Sequence, residues 1–172
     1  SKSSIYMTLE DKFLKEYDNH ADSIFRFCFF KLSDREEAKD LTQETFTRIW
    51  IYLANGGKIK NIKAFLFQTA RNLIIDKYRK KKTDSLDTMQ DAGFDPRFEE
   101  EVEIEEKIDA EMAMKLLQEL PDEYREVVVL KYVEELSIQE IGDALQETTG
   151  NVSVRLHRAL NQLKKLYKEK NV

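Results

Sequence analysis

The chain has 172 residues, 35% of them charged and 41% hydrophobic, with only 5 glycines and 2 prolines. Average usage would give roughly a dozen Gly and about nine Pro, so short strands joined by frequent turns are excluded and an all-α protein is expected. The formal net charge of −5 hides a segregation: residues 1–82 carry 17 Lys/Arg against 11 Asp/Glu, whereas residues 83–110 carry 2 against 11, and blocks of opposite sign suit different partners.

Cys28 is the one cysteine, which rules out an intrachain disulfide or a multi-cysteine metal site and points to a reducing cytoplasm. No apolar run reaches the length of a membrane span, and "SKSSIYMTLEDKF" lacks the apolar centre of a signal peptide. There is no phosphate-cradling glycine loop, and His20 and His157 fall in separate predicted domains. Neither an enzyme nor a cofactor is expected.

In chain order, Thr8 caps a first predicted helix running to about Leu32, with Phe13, Tyr17, Ile24, Phe27 and Cys28 inward. A second helix opens at "SDRE", where Ser33 and Glu36 have capping-box spacing. Its buried stripe is Ala38, Leu41, Thr42, Thr45, Phe46, Ile49 and Leu53, and "NGG" at 55–57 ends it through left-handed backbone. A third helix spans about Asn61 to Lys82, with Ile62, Phe65, Leu66, Thr69, Ala70 and Leu73 inward. The stretch 83–95 has no helical period and reads as a linker. Asp95-Pro96 then offers an N-cap and a first-turn proline for an acidic helix toward Leu120. Pro121 restarts the chain, "DEYREVVVLKYVEEL" reads as helix, and Ser137 with Glu140 supplies another capping box.

In "LSIQEIGDALQETTGNVSVRLHRAL" (136–160), Ile138, Ile141 and Leu145 share one face, and Val152, Leu156, Ala159 and Leu163 another. Joined by a short break, these form a helix-turn-helix if their faces meet. Gly142 would permit close approach, and Thr148 or Thr149 would cap the second helix. With Val152 inward, Gly150, Val154, His157, Arg158 and Asn161 point outward, flanked by Asn151, Ser153 and Arg155. Such a cationic, small-residue surface can enter a major groove, although an αα-hairpin with a solvated outer face has the same periodicity.

Here a resemblance becomes visible. "LQELPDEYREVVVLKYVEELSIQEIGDALQETTGNVSVRLHRALNQLKK" resembles the C-terminal, promoter-reading domain of bacterial RNA polymerase sigma factors of the extracytoplasmic-function (ECF) subfamily. The match rests on Leu120-Pro121, Arg125-Glu126-Val127, Leu136-Ser137, Glu140-Ile141, Gly150, Val152 and Arg155-Leu156-His157-Arg158-Ala159. "DREEAKDLTQETFTRIW" and "NIKAFLFQTARNLIIDKYRKKK" resemble the N-terminal domain of the same family, in the same order and spacing. The chain departs from the family at Gln146, where Gly is usual, and at Glu147, where an apolar residue is usual. Gln146 is therefore expected to be strained in left-handed backbone or the loop reshaped, with Glu147 solvent-exposed.

The resemblance implies two small helical domains, residues 1–82 and 108–172, joined by an acidic linker at 83–107. It implies that Asp40, Gln43, Glu44, Thr47 and Arg48, with Trp50 at the edge, bind core RNA polymerase. Trp50 equally suits simple closure of the core. It further implies capture of the melted −10 strand of promoter DNA by Lys58, Lys60, Asn61, Lys63, Phe67, Arg71, Asn72, Tyr78, Arg79 and Lys80. Cations interleaved with rings suit unstacked single strands, while ordinary packing would explain Phe67 and Tyr78 as well. Duplex −35 DNA would be read by Thr149, Asn151, Ser153, Val154, Arg155, His157 and Arg158. An anti-sigma factor is a further partner that the family implies. The acidic linker is open to three readings: solvated chain, a strand threading the polymerase cleft, or a cover over the basic N-terminal patch. The rival functions are a dimeric helix-turn-helix regulator of duplex DNA and a protein-binding helical adaptor.

Overall fold

The computed structural model describes residues 7–82 and 110–170. All regular elements among these residues are helical: α1 (Leu9–Leu32), α2 (Arg35–Ala54), α3 (Ile62–Lys82), α4 (Ala110–Glu119), α5 (Asp122–Val128), α6 (Ile138–Leu145) and α7 (Thr149–Lys170). The chain divides into two compact units, the first containing α1–α3 and the second containing α4, α5 and α7. The expected linker at 83–107 and the Asp95-Pro96 helix start lie outside the described residues.

The first unit is a three-helix core in which every pair of helices touches. Thr8 opens α1 with a full capping box: its hydroxyl accepts from the Asp11 N–H at 3.1 Å, and the Asp11 carboxylate accepts from the Thr8 N–H at 3.3 Å. The expected box at Ser33 does not form. Ser33 instead takes left-handed backbone, φ 54°, and its N–H closes α1 on the Phe29 carbonyl. Helix α2 therefore starts one residue later, from Asp34, whose carboxylate accepts from the Glu37 N–H at 3.0 Å.

The α2 stripe is buried from Ala38 to Ile49, and Leu53 at its end is half-buried. Its two threonines are tolerated inside because Thr42 and Thr45 donate to the Ala38 and Leu41 carbonyls, each at 2.7 Å; an unsatisfied buried hydroxyl would be destabilising. Asn55 caps the helix and Gly56, at φ 88°, turns the chain out. Asn61 then caps α3 by accepting from the Ala64 N–H at 3.0 Å.

Helix α3 buries a broader face than one stripe because α1 and α2 both pack against it. Ala64, Leu66, Phe67, Ala70, Leu73 and Ile74 are all buried, while Ile62, Phe65 and Thr69 are half-buried. Its C-terminal end is tied down twice. The Tyr78 hydroxyl donates to the Lys31 carbonyl at 2.7 Å, and Glu37 accepts from Lys77 at 3.1 Å and Lys81 at 3.4 Å.

In the second unit, Arg125 closes the end of α4. Its Nε donates to the Leu117 carbonyl at 3.0 Å, and Nη2 donates to the Leu120 and Gln118 carbonyls at 3.0 and 3.3 Å. One guanidinium thus serves carbonyls that a helix end leaves without intrahelical donors. Beyond α5 the backbone widens into a π turn, Val129–Val133, with the Glu134 N–H donating to the Val129 carbonyl at 3.0 Å. The continuous helix expected here is broken by this widening and by left-handed Glu135, φ 59°.

The capping box of Ser137 and Glu140 forms as expected, at 3.0 and 3.1 Å. Ile141 and Leu145 of α6 are buried, as are Val152, Leu156, Ala159 and Leu163 of α7. The turn between them takes its shape from Gln146, which is left-handed at φ 58°. The Glu147 N–H donates to the Gly142 carbonyl at 2.9 Å, and the Thr148 hydroxyl caps α7 by accepting from the Asn151 N–H at 3.1 Å.

A Cβ on Gly142 would lie 2.9 Å from the Glu147 carbonyl oxygen, so Gly142→Ala is expected to lose about 1–3 kcal/mol of stability. Gln146→Gly relieves a left-handed side-chain strain of about 1–2 kcal/mol, offset in part by extra freedom of the unfolded chain, and is expected to be no less stable. Thermal denaturation of both variants checks the pair. The second prediction concerns acid. The Lys77 hydrogen bond, assisted by the charges of Lys77 and Lys81, holds the Glu37 carboxyl below its ordinary value. A depressed folded-state value stabilises the fold above the unfolded carboxylate range and is lost as pH falls through the folded one. The stability difference between the wild type and Glu37→Gln is therefore expected to vanish on acidification, as read by melting curves across pH.

Candidate polymerase and nucleic-acid interfaces

Because α2 buries Ala38, Leu41, Thr45 and Ile49, its opposite face must carry Asp40, Gln43, Glu44, Thr47 and Arg48. All five are exposed as expected. Glu44 and Arg48 form an ion pair at 3.0 Å, and the Thr47 hydroxyl donates to the Gln43 carbonyl at 2.9 Å. Trp50 is half-buried with its ring 5.2 Å from that of Phe13. It closes one edge of an aromatic cluster in which Tyr17 packs edge-on to Phe46 at 4.8 Å.

The cationic loop and α3 divide into accessible and inaccessible residues. Lys58, Lys60, Asn61, Asn72, Arg79 and Lys80 are exposed, and Lys63 and Arg71 are half-buried. One expectation for an outward residue of α3 is overturned. Phe67 is 1% exposed, with its ring edge-on to Phe27 at 5.4 Å, and Ile74 is 2% exposed. Phe67 lies on the part of α3 that α1 covers, so its ring is not offered to a strand. Tyr78 remains 42% exposed, but its hydroxyl is engaged by Lys31.

A different pair of rings lines the accessible surface. A hollow of about 280 Å³ between α2 and α3 is bounded by Arg48, Ile49, Tyr52, Phe65, Gln68, Thr69 and Asn72. Tyr52 and Phe65 lie 5.4 Å apart, and the Tyr52 hydroxyl donates to the Lys58 carbonyl at 3.3 Å. Gly57 is the reason Tyr52 lies there, since a Cβ at that position would meet the ring at 2.4 Å. The helical period of α2 does not select Tyr52, and that of α3 places Phe65 inward. The available signal was "NGG" itself, whose second glycine leaves room for a neighbouring ring.

On α7, Thr149, Asn151 and Ser153 are exposed, while Val154, Arg155, His157 and Arg158 are half-buried, all outside the buried stripe. Lys165 and Lys168 continue the exposed cationic side. The expectation that Glu147 is solvent-exposed is not met. Its side chain is 27% exposed and grips Arg155, itself 20% exposed, with Nη2 at 2.8 Å from Oε1 and 2.7 Å from Oε2. Left-handed Gln146 and the N–H bond to Gly142 turn residue 147 back toward the start of α7, which brings the carboxylate to the arginine.

Cys28 offers no nucleophile. Burial, partly offset by a hydrogen bond with Thr42, pushes its thiol up to about 11. Among the described residues no helix is long and apolar enough to cross a membrane.

The chain matches the family described as Sigma-70 region 2 over residues 17–83 and the family described as Sigma-70, region 4 over residues 110–163. It is 33% identical to the ECF RNA polymerase sigma factor SigW of Bacillus subtilis (strain 168) over 167 residues, covering 91% of this chain and 89% of that protein. It is 35% identical to SigM of the same organism over 158 residues, covering 88% of this chain and 92% of that one. A solved structure of the sigma factor RpoE with the anti-sigma factor NepR from Bartonella quintana shares the fold. There the TM-score is 0.68 at 24% identity, over 91% of this chain and 97% of that one. With both regions present in order and two such relatives matched over most of their length, the chain belongs to the ECF sigma factors, which are not enzymes but act with RNA polymerase in promoter-specific initiation of transcription.

Proposed function

We propose that this sigma factor uses its two units for two forms of promoter DNA: residues 1–82 hold the melted −10 strand and residues 108–172 read the −35 duplex. The observation that carries this reading is the hollow between α2 and α3. Its volume of about 280 Å³ is near the roughly 300 Å³ lower bound of small-ligand sites, which suits one extruded base. Tyr52 and Phe65 supply apolar ring surface, while Asn72, Gln68 and Arg48 supply donors and acceptors for a base edge. Lys58, Lys60 and Lys63 at one side, and Arg71, Arg79 and Lys80 along α3, neutralise the phosphates that run to and from that base, with Asn61 exposed beside the loop lysines.

The exposed face of α2, from Asp40 to Arg48, is the docking surface for core polymerase in this reading. Unstacking DNA costs a few kcal/mol for each step, so the trap needs a machine that contributes further contacts. On α7, the small residues Gly150 and Ser153 let the helix approach the duplex. Thr149, Asn151, Val154, His157 and Arg158 surround them, with Asn and Arg able to pair with base edges, while Arg155 stands beside them paired with Glu147. An anti-sigma partner is part of the proposal by family resemblance, as is action in the cytoplasm alongside the polymerase. The acidic stretch 83–107 joins the two readers.

Transcription in vitro with core polymerase, followed by mapping of start sites, tests the whole reading. Starts at a shared pair of upstream elements are expected. Duplex binding without polymerase retention would favour a regulator instead, and neither result would leave a protein adaptor. Within that assay, Tyr52→Ala is expected to weaken capture of a single-stranded −10 oligonucleotide by about 1–3 kcal/mol, the scale of one base–ring stack, with core binding retained. Measuring both affinities separates loss of the trap from loss of the fold.

A further inference from the structure

Among the −35 residues, Arg155 has a partner supplied by the turn. Its guanidinium Nη2 lies 2.7–2.8 Å from both carboxylate oxygens of Glu147, eight residues earlier. The two side chains are only 20% and 27% exposed, and Glu147 Oε2 is shielded from solvent. This is not the loose surface pair that contributes little. On α7 the arginine sits about 60° from Val152, at 100° per residue, on the flank nearer the core. Glu147 is itself held in place, its N–H on the Gly142 carbonyl at 2.9 Å beside left-handed Gln146.

We propose that Glu147 is a specificity-determining positioning residue, holding Arg155 against the turn and so withholding its charge from DNA phosphates. The inference rests on the duplex-reading role proposed for α7. Phosphate contacts carry no sequence information, and each neutralised phosphate adds affinity for every duplex alike. For Arg155 to reach a phosphate it must leave a carboxylate that is partly buried and has this guanidinium beside it. Arg155 therefore braces the turn against α7, and sequence is read by the remaining outward residues. Unpaired, the same arginine would add one sequence-independent contact and blur the distinction between a promoter and any other duplex.

The test uses holoenzyme reconstituted with core polymerase, on a duplex bearing a mapped promoter and on a scrambled duplex, across a salt series. The core enzyme is common to all samples, so differences in the salt slope between variants report α7. For Arg155→Gln the slope is expected to match the wild type, because that charge neutralises no phosphate. For Glu147→Leu the slope is expected to steepen by about 0.9, the value for one added phosphate contact. That corresponds to roughly threefold more loss of binding between about 50 and 200 mM salt. The gain should appear on both duplexes, lowering the ratio between them. The double variant Glu147→Leu/Arg155→Gln should return to the wild-type slope, which separates a freed charge from a damaged turn. A shallower slope in Arg155→Gln, or an unchanged one in Glu147→Leu, overturns the inference. Arg158→Gln guards the reading beneath it. If that variant loses neither slope nor promoter preference, duplex reading by α7 fails, whereas a loss there with no change in Glu147→Leu sinks only the role of Glu147.

Discussion

A helix packed on its neighbours must hide one side to hold the other still, and both units of this molecule are organised by that constraint. In α3 the hidden side is Ala64, Leu66, Phe67, Ala70, Leu73 and Ile74, which leaves Asn72 and the terminal cations outside. In α7 it is Val152, Leu156, Ala159 and Leu163, which leaves the polar first turns outside. Fully burying a large apolar side chain is worth about 1.5–3 kcal/mol, more than any single surface contact these helices make. The rotation of each helix about its axis is fixed by burial, and the accessible face is the remainder.

Rotation alone does not set where a helix begins. That is done by polar groups of known geometry: Thr8 with Asp11, Asp34 with the Glu37 N–H, Ser137 with Glu140, and Thr148 with the Asn151 N–H. At the turn before α7, the backbone of residue 147 comes so close to Gly142 that no side chain fits between them. The same closeness delivers the Glu147 carboxylate to Arg155. A substitution that looks like a loss of the family's usual apolar residue is thereby absorbed as an ion pair across the turn.

The stripes of α2, α6 and α7 were legible in the sequence because a single period of 3.6 describes them, whereas in α1 the expected stripe holds at Ile24, Phe27 and Cys28 but Tyr17 is 39% exposed. Helix α3 was less legible, since its buried face is wider than one stripe. Phe67 and Ile74 fall outside the narrow stripe that periodicity selects, yet both are buried. The Ser33 capping box failed for a local reason: "SDRE" holds two capping candidates in succession, and the spent end of α1 takes the first as its left-handed closing residue. The hollow was illegible because it depends on Tyr52 leaning over Gly57 from another element. Glu147 was misread because an exposed carboxylate and a carboxylate paired eight residues away look alike in one dimension.

The π turn at Val129–Val133 has a consequence of its own. In an unbroken α-helix Val133 would stack beneath Val129 and Glu134 beneath Leu130. With the wider ring the Glu134 N–H reaches Val129 instead, Glu134 is buried at 4%, and Val133 is turned out at 45% exposure. The segment behaves as a phase shifter, admitting one more residue than the helical repeat can hold without moving what lies on either side. Removing one residue from it would restore the ordinary repeat and leave what lies on either side in phase. The stretch is consequently a place where the chain can carry one residue more or fewer while α6 and α7 keep their aim, the change being confined to which of Val133 and Glu134 faces inward.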